Sequence, residues 1–323
     1  MSRKKIAILS GGNTEERVIS ELSAQTVFNY LDPTLWEGRI IDINKAAWTD
    51  LLSGVTLDKN DFSFILENEK WRPDVVFCAI HGSPLEDGLL QGYFDTIGIP
   101  YTCCDGFSSA LTMNKYMTKQ VLKAAAIPMA KEILLNREST INISTIVDDL
   151  HLPMFIKPNK HGSSFGVSKV KNAIDIPTAI EHAFKFDDEV LCESYLNGRE
   201  FGNGVYLFNG EINIMPVTEI ISKNEFFDYA AKYEGEVSEV TPANISPELT
   251  QKIQSYSSLI FKHLGLKGFV RIDYILMNNE FYLLEVNTVP GLSPTSIIPQ
   301  QAIASGLSLQ DFFSRIIQES LNY

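Results

Sequence analysis

Two apolar segments, residues 269–276 and 281–287, are separated only by the bend Met277 to Glu280. Side chains alternate faces along an extended chain, so the pair reads as a β-hairpin. Arg271 and Asp273 share one face of the first strand, and Glu285 and Asn287 share one face of the second. Loop length decides whether these two sets meet. A two-residue turn at Asn278-Asn279 opposes Asp273 to Leu284 and sends the polar sets to opposite faces. A three-residue loop through Glu280 pairs Asp273 with Glu285, Arg271 with Asn287, Tyr274 with Leu284 and Ile272 with Val286. The second register separates polar from apolar side chains and is the expected one. It also sets two carboxylates opposite each other, where they repel. A divalent cation between them removes that penalty, and carboxylate and amide oxygens are hard ligands suited to Mg²⁺. The plain alternative is a solvated acidic face or an Arg271–Asp273 ion pair.

The hairpin belongs to a globular α/β chain. Of 323 residues, 45% are apolar and 21% charged, which excludes disorder, collagen and coiled coil. Ile6 to Leu9, Arg39 to Ile43 and Asp74 to Ile80 read as strands. The Gly11-Gly12 turn follows the first, and helical spacing continues from Glu15 to Leu31. Alternating strands and helices with short Gly-rich loops imply a parallel layer, with ligands at the carboxyl ends of its strands. Glu15, Glu16 and His81 follow such ends. Beyond residue 105 the spacing predicts a long helix over Ser109–Ala126, strands over 153–158, 167–170 and 189–196, and helices near 247–264 and 309–321. The expected division is 1–104, 105–196 and 197–323.

Net charge is 27 − 40 = −13, so affinity for a phosphate backbone is not expected. The four cysteines show no CxxC or zinc spacing and suit unpaired thiols in a reducing compartment. Met1 to Leu9 is too short for a signal segment, and no run of about 18 apolar residues exists. A cytoplasmic protein without membrane or nucleic-acid partners is expected.

The loop Lys157 to Gly166 lies between two β-like runs. Its small residues let backbone N–H groups approach an anion between flanking lysines; the plain reading is a hairpin turn. Gly162-Ser163-Ser164-Phe165-Gly166 also matches a hydrolase nucleophile elbow, but Val167 to Val170 looks like a strand where that motif needs a helix. Phe227 to Glu236 reads as a mobile lid or a surface loop. Glu16 either binds an ammonium or is an acid placed in a helix first turn.

Together these residues resemble the D-alanine–D-alanine ligases of the ATP-grasp superfamily. The resemblance runs through Gly11-Gly12 with Glu16-Arg17, His81-Gly82 with Glu86-Asp87-Gly88, Met113 with Lys115, and Lys157-Pro158 with Gly162-Ser163-Ser164. It continues through Tyr229 with Lys232-Tyr233, Arg271-Ile272-Asp273, Glu285-Val286-Asn287 and Pro290-Gly291. The order and spacing over 300 residues, not any one motif, make it specific. It implies a three-domain ATP-grasp architecture with an N-terminal Rossmann-like sheet, and ATP-dependent joining of two D-alanines through an acyl phosphate for peptidoglycan precursors. A ligase for another amino or hydroxy acid pair is the alternative.

By the same resemblance, Glu16 holds the first D-alanine's ammonium, with His81 near its carboxylate. Ser163, Glu16 and Tyr233 close the lid over the flap. Lys115, Lys157 and Lys232 contact ATP phosphates, Glu193 and Tyr195 border adenine, and Glu200 meets ribose. Asp273, Glu285 and Asn287 hold two Mg²⁺ (or Mn²⁺) ions. Arg271 and the Gly291 N–H stabilise the oxyanion, and Ser296 with the Ile297 backbone receives the second carboxylate. A homodimer is implied. Asn114, Lys160-His161, Leu85 and Tyr195 depart from the commonest pattern, whereas Tyr233 in place of Phe resembles the D-alanine-selective members.

Overall fold

A computed structural model describes residues 3–162, 164–222 and 237–322. Strand β1 (Lys4–Gly11) runs parallel to β2 (Trp36–Ile43) and to β6 (Val75–Phe77), and β3 (Trp48–Asp50) closes one edge antiparallel to β2. Between them β4 (Phe64–Leu66) and β5 (Glu69–Trp71) form a separate hairpin. Residues 6–9 of β1 are apolar without a break because both faces of the strand are covered there: Ile6 and Ile8 enter one core, Ala7 and Leu9 another. Strand β6 is shorter than the strand expected over Asp74 to Ile80, although residues 78–80 stay fully buried beyond its end. Helix α1 (Arg17–Asn29) makes the crossover from β1, and α2 (Leu89–Ile97) follows the first sheet.

The expected long helix is two helices, α3 (Gly106–Met113) and α4 (Lys115–Leu122). Asn114 separates them at φ −86° and ψ 95°, closing α3 and capping α4 through its side chain, which accepts the Met117 N–H at 2.9 Å. Hydrophobic spacing runs across this junction, which is why the break was not anticipated. The break brings the first turn of α4 against the second sheet, where Tyr116 N–H bonds Asn159 Oδ1 at 2.9 Å.

The second sheet has the order β7 (Glu132–Asn136), β10 (Glu189–Ser194), β8 (Met154–Pro158), β9 (Ser168–Val170), all antiparallel. Helices α5 (Ile143–Leu150) and α6 (Ile176–Ala183) cover one face through Ile146, Leu150, Ile176 and Ile180. The Gly/Ser loop is the connection from β8 to β9. Ser164 sits there at φ 60° and a strand follows, so the nucleophile-elbow geometry is not formed.

The third sheet is β13 (Val237–Val240), β12 (Glu211–Ser222), β11 (Arg199–Phe208), β14 (Phe269–Met277), β15 (Glu280–Asn287). Helix α7 (Pro247–His263) begins as its sequence signals it should: Ser246 caps it and Pro247 opens it. Helices α8 (Ile297–Ala304) and α9 (Leu309–Leu321) complete the chain.

The cores are not confined to single sheets. Ile8 and Phe77 of the first sheet pack with Phe269 of the third and with Phe312 and Phe313 of α9. Phe313 meets Phe77 edge-on at 5.7 Å. Glu319, buried at the end of α9, accepts the Asn209 N–H at 2.5 Å and so holds the turn between β11 and β12. The C-terminal helix therefore anchors the third sheet against the first. All four cysteines are buried and unpaired, and no helix among the described residues is long and apolar enough to cross a membrane.

Phe313 is fully buried, so Phe313→Ala leaves a cavity in this shared core. It should destabilise the protein by about 3–5 kcal/mol, read as a lowered urea midpoint, with the first and third sheets losing structure together. An unchanged midpoint would show that the two sheets do not share their stability.

Candidate active site

A cleft of ≈ 840 Å³ lies where the three sheets converge, lined from β1–α1 residues through to the start of α8. Its floor is the hairpin β14–β15. The turn is the two-residue one, Asn278-Asn279, both left-handed at φ 53° and 60°. Asparagine tolerates this conformation and favours such turns. Met277 accordingly opposes Glu280, and Tyr274 opposes Leu283 rather than the expected Leu284. A β-bulge between Asp273 and Tyr274 then shifts the register, so that Asp273 opposes Glu285, Ile272 opposes Val286 and Arg271 opposes Asn287. The polar pairs are those expected, but a bulge and not a longer loop creates them. Without it Glu285 would face the other side of the sheet.

Asp273 is almost fully buried on this floor. Arg271 donates to it through Nε at 2.8 Å and Nη2 at 2.8 Å, and Asn287 Nδ2 donates at 2.9 Å. The ion pair that was the plain alternative is thus present, alongside the carboxylate pair. Gly202 leaves space beside them; a Cβ there would come within 3.2 Å of Asp273 Oδ1. Among the described residues no three His, Cys, Asp or Glu side chains cluster as metal ligands. The set here is two carboxylates and an amide, with a glycine clearing room beside it, and that oxygen-rich donor set suits a hard divalent cation.

Lys115 and Lys157 rise from the opposite wall. Lys115, at the start of α4, donates to the His161 carbonyl at 2.8 Å and lies 3.6 Å from Glu285. Lys157 donates to Glu193 Oε2 at 2.6 Å. Glu193 is also bonded by Lys119, a buried lysine that the sequence reading did not single out. Burial opposes the charge of Glu193, but Lys119 and Lys157 outweigh it and hold the carboxyl well below its usual range. Tyr195 packs on Phe155 at 5.8 Å, with Lys169 Nζ 3.9 Å above its ring. Glu200, on β11 between Ile220 and Ile275, also faces the cleft.

Glu16 occupies the N-cap position of α1 without making a capping bond to it. Its carboxylate instead sits between two loops. A Cβ on Gly82 would lie 2.9 Å from Oε2, and one on Gly162 would lie 3.1 Å from Oε1. Glycine at both positions is what lets the carboxylate reach the cleft between the first sheet and the flap. Glu86, quoted only as part of a motif, is a neighbour: burial first, then the Glu16 charge, push its carboxyl up to about 8, against the Gly82 N–H bond.

His81 is buried in the cleft wall, held by Ser23 Oγ at 3.0 Å from Nε2 and by a bond to the Val289 backbone. Ser23 Oγ also accepts the Leu292 N–H at 3.2 Å, which leaves its own proton for the imidazole. The ring therefore fastens the 289–292 loop to α1. Gly291 follows in that loop; a Cβ there would meet Ser296 Oγ at 3.0 Å. Ser296 caps α8 in position and bonds Ser293 Oγ at 2.7 Å, and Ile297 opens the helix; both residues line the cleft. Ser163, Lys232, Tyr233 and the lid reading of 227–236 lie outside the described residues.

Comparison with known proteins identifies the family. Residues 5–104 match the family model described as D-ala D-ala ligase N-terminus, and residues 121–318 match D-ala D-ala ligase C-terminus. A D-alanine–D-alanine ligase of Flavobacterium johnsoniae is 48% identical over 321 residues, covering 98% of this chain and 99% of that one. The crystal structure of D-alanyl-alanine synthetase A from Vibrio cholerae superposes with a TM-score of 0.89 at 30% identity, over 100% of both chains. The D-alanine–D-alanine ligase from Bacillus anthracis complexed with ATP gives 0.81 at 27% identity, covering 99% of this chain and 98% of that one. The chain belongs to the D-alanine–D-alanine ligase family, with the ATP-grasp fold of its structural neighbours.

Proposed function

We propose that this cleft joins two D-alanine molecules into D-alanyl-D-alanine at the expense of ATP, supplying a peptidoglycan precursor. The observation that carries the reading is the single cavity in which Arg271, Asp273, Glu285 and Asn287 face Lys115 and Lys157, with Glu16 at its far wall. Phosphoryl transfer needs positioning and charge neutralisation more than covalent help, and this cavity offers both.

Glu16 receives the ammonium of the first D-alanine, in concert with Ser163 and Tyr233. A carboxylate oxygen of that substrate attacks the γ-phosphorus of ATP, the bond to the β-phosphate oxygen breaks, and ADP leaves an acyl phosphate. Lys115, Lys157 and Lys232 hold the phosphates; Glu193 and Tyr195 border adenine, and Glu200 meets ribose. Asp273, Glu285 and Asn287 would hold two Mg²⁺ or Mn²⁺ ions, which supply charge neutralisation on the phosphate oxygens. The second D-alanine docks its carboxylate at Ser296 and the Ile297 N–H. Its amine attacks the acyl carbon, the oxyanion is received by Arg271 and the Gly291 N–H, and phosphate departs. His81 borders the first carboxylate and, through Ser23 and Val289, keeps the Gly291 loop in place. The ranges 1–104, 105–196 and 197–323 act as three domains of a cytoplasmic homodimer.

Incubation with Mg·ATP and D-alanine should yield ADP, phosphate and the dipeptide in equal amounts; absence of all three products would reject the reading. Arg271→Ala should lower kcat at least about a hundredfold, in the range of roughly 10²–10³ for a preorganised oxyanion donor. Near-normal turnover would remove Arg271 from the chemistry.

His81 adds a pH signature. Burial, then the Arg271 charge, lower its pKa to about 4, against the Val289 bond. The unfolded chain binds that proton near pH 6.5, so the stability contributed by neutral His81 is full above about 6.5 and is lost as pH falls toward 4. The loss amounts to roughly 3 kcal/mol. Urea titrations at pH 7 and pH 4.5 should show His81→Gln losing less stability between the two than the parent protein does. Equal losses would contradict a neutral, buried imidazole.

A further inference from the structure

Lys119 has no part in the chemistry above, yet its ammonium is one of the most deeply buried charges in the chain. Its side chain is 2% exposed and lies behind the cleft wall, on the face of α4 turned toward the second sheet. There it is 3.2 Å from Glu132 Oε2 of β7 and bonded to Glu193 Oε1 of β10. The other oxygen of Glu193 takes Lys157 of β8 at 2.6 Å. Four side chains thus form a row, Glu132–Lys119–Glu193–Lys157, two cations with two anions, with only Lys157 and Glu193 at the cleft surface.

The row divides its charges unevenly. Lys119 and Lys157 together keep Glu193 ionised, whereas burial pushes Glu132 up and the neighbouring cations do not fully offset it. Lys119 is therefore committed to Glu193 more than to Glu132. That commitment matters for Lys157, because a buried carboxylate with a single cationic partner holds that partner tightly. With Lys119 supplying half of the compensation, the Lys157 ammonium can turn from Glu193 toward an anion in the cleft without stranding a buried charge.

We propose that Lys119 is a positioning residue for nucleotide binding: it neutralises Glu193 from behind, so that Lys157 is available to the phosphates of ATP. The proposal rests on the cleft being the ATP site. A plain brace between α4, β7 and β10 would be a different role, and the two sides of Lys119 separate them. Removing Lys119 should trap Lys157 on Glu193. Removing the charge of Glu132 should leave Lys119 wholly to Glu193 and Lys157 as available as before.

The test is calorimetric binding of Mg·ATP and Mg·ADP to the full chain, with steady-state kinetics beside it. Lys119→Met should weaken nucleotide binding and raise KM for ATP by at least about tenfold, the loss of roughly one charge-assisted contact. KM for D-alanine should stay within about twofold, Lys119→Arg should retain affinity, and Glu132→Gln should stay within about twofold of the parent. If Lys119→Met does not accumulate as folded protein, Lys119→Gln carries the same expectation. Unchanged ATP affinity in the Lys119 variants, or an equal loss in Glu132→Gln, would overturn the proposal. A parent protein that binds ATP but makes no dipeptide would instead count against the ligation reading, leaving the Lys119 comparison intact.

Discussion

Asp273 facing Glu285 across neighbouring strands is the constraint around which the cleft is organised. Two carboxylates at that separation repel, so the fold must supply positive charge or leave room for it. It does both. Arg271, two residues along the same face, donates twice to Asp273, and Gly202 on the adjoining strand keeps the space beside it clear. Lys115, at the start of α4, reaches to within 3.6 Å of Glu285. In the proposed reaction, a divalent cation and the phosphates of ATP would add to that balance.

That arrangement is held by parts of the chain distant in sequence. The C-terminal helix packs Phe312 and Phe313 against the first sheet and caps the β11–β12 turn with Glu319, so the floor of the cleft is tied to the element that begins with Lys4. On the opposite side, Ser23 and His81 fasten the Gly291 loop to α1. Burial keeps His81 neutral, and a neutral imidazole can accept from Ser23 and donate to Val289 at once. Glu16 enters the cleft only because Gly82 and Gly162 lack side chains on either side of it.

Much of this was legible before any coordinates. The apolar run Ile6 to Leu9 read as a strand, a helix was expected near 247–264 and is found over Pro247–His263, and the polar pairs of the last hairpin followed from keeping polar and apolar faces apart. The mechanism of that pairing was not legible. Asn278-Asn279 encodes a two-residue turn, which alone gives the wrong face; the bulge that corrects it leaves no mark in residue type, because Leu284 suits either register. Asn114 likewise interrupts a continuous apolar spacing that reads as one helix.

The sequence by itself determined which side chains exist to do chemistry and, through local periodicity and the order of its motifs, the family to which the chain belongs. Periodicity is a property of neighbouring residues, so it reports strands, helices and their faces. Tertiary structure alone decided which charges meet. Lys119, Glu132 and Glu193 carry no local signal of pairing, since each is an unremarkable residue in its own segment. Electrostatic energy depends on distance through space and on the loss of water, and only the packed sheets set those.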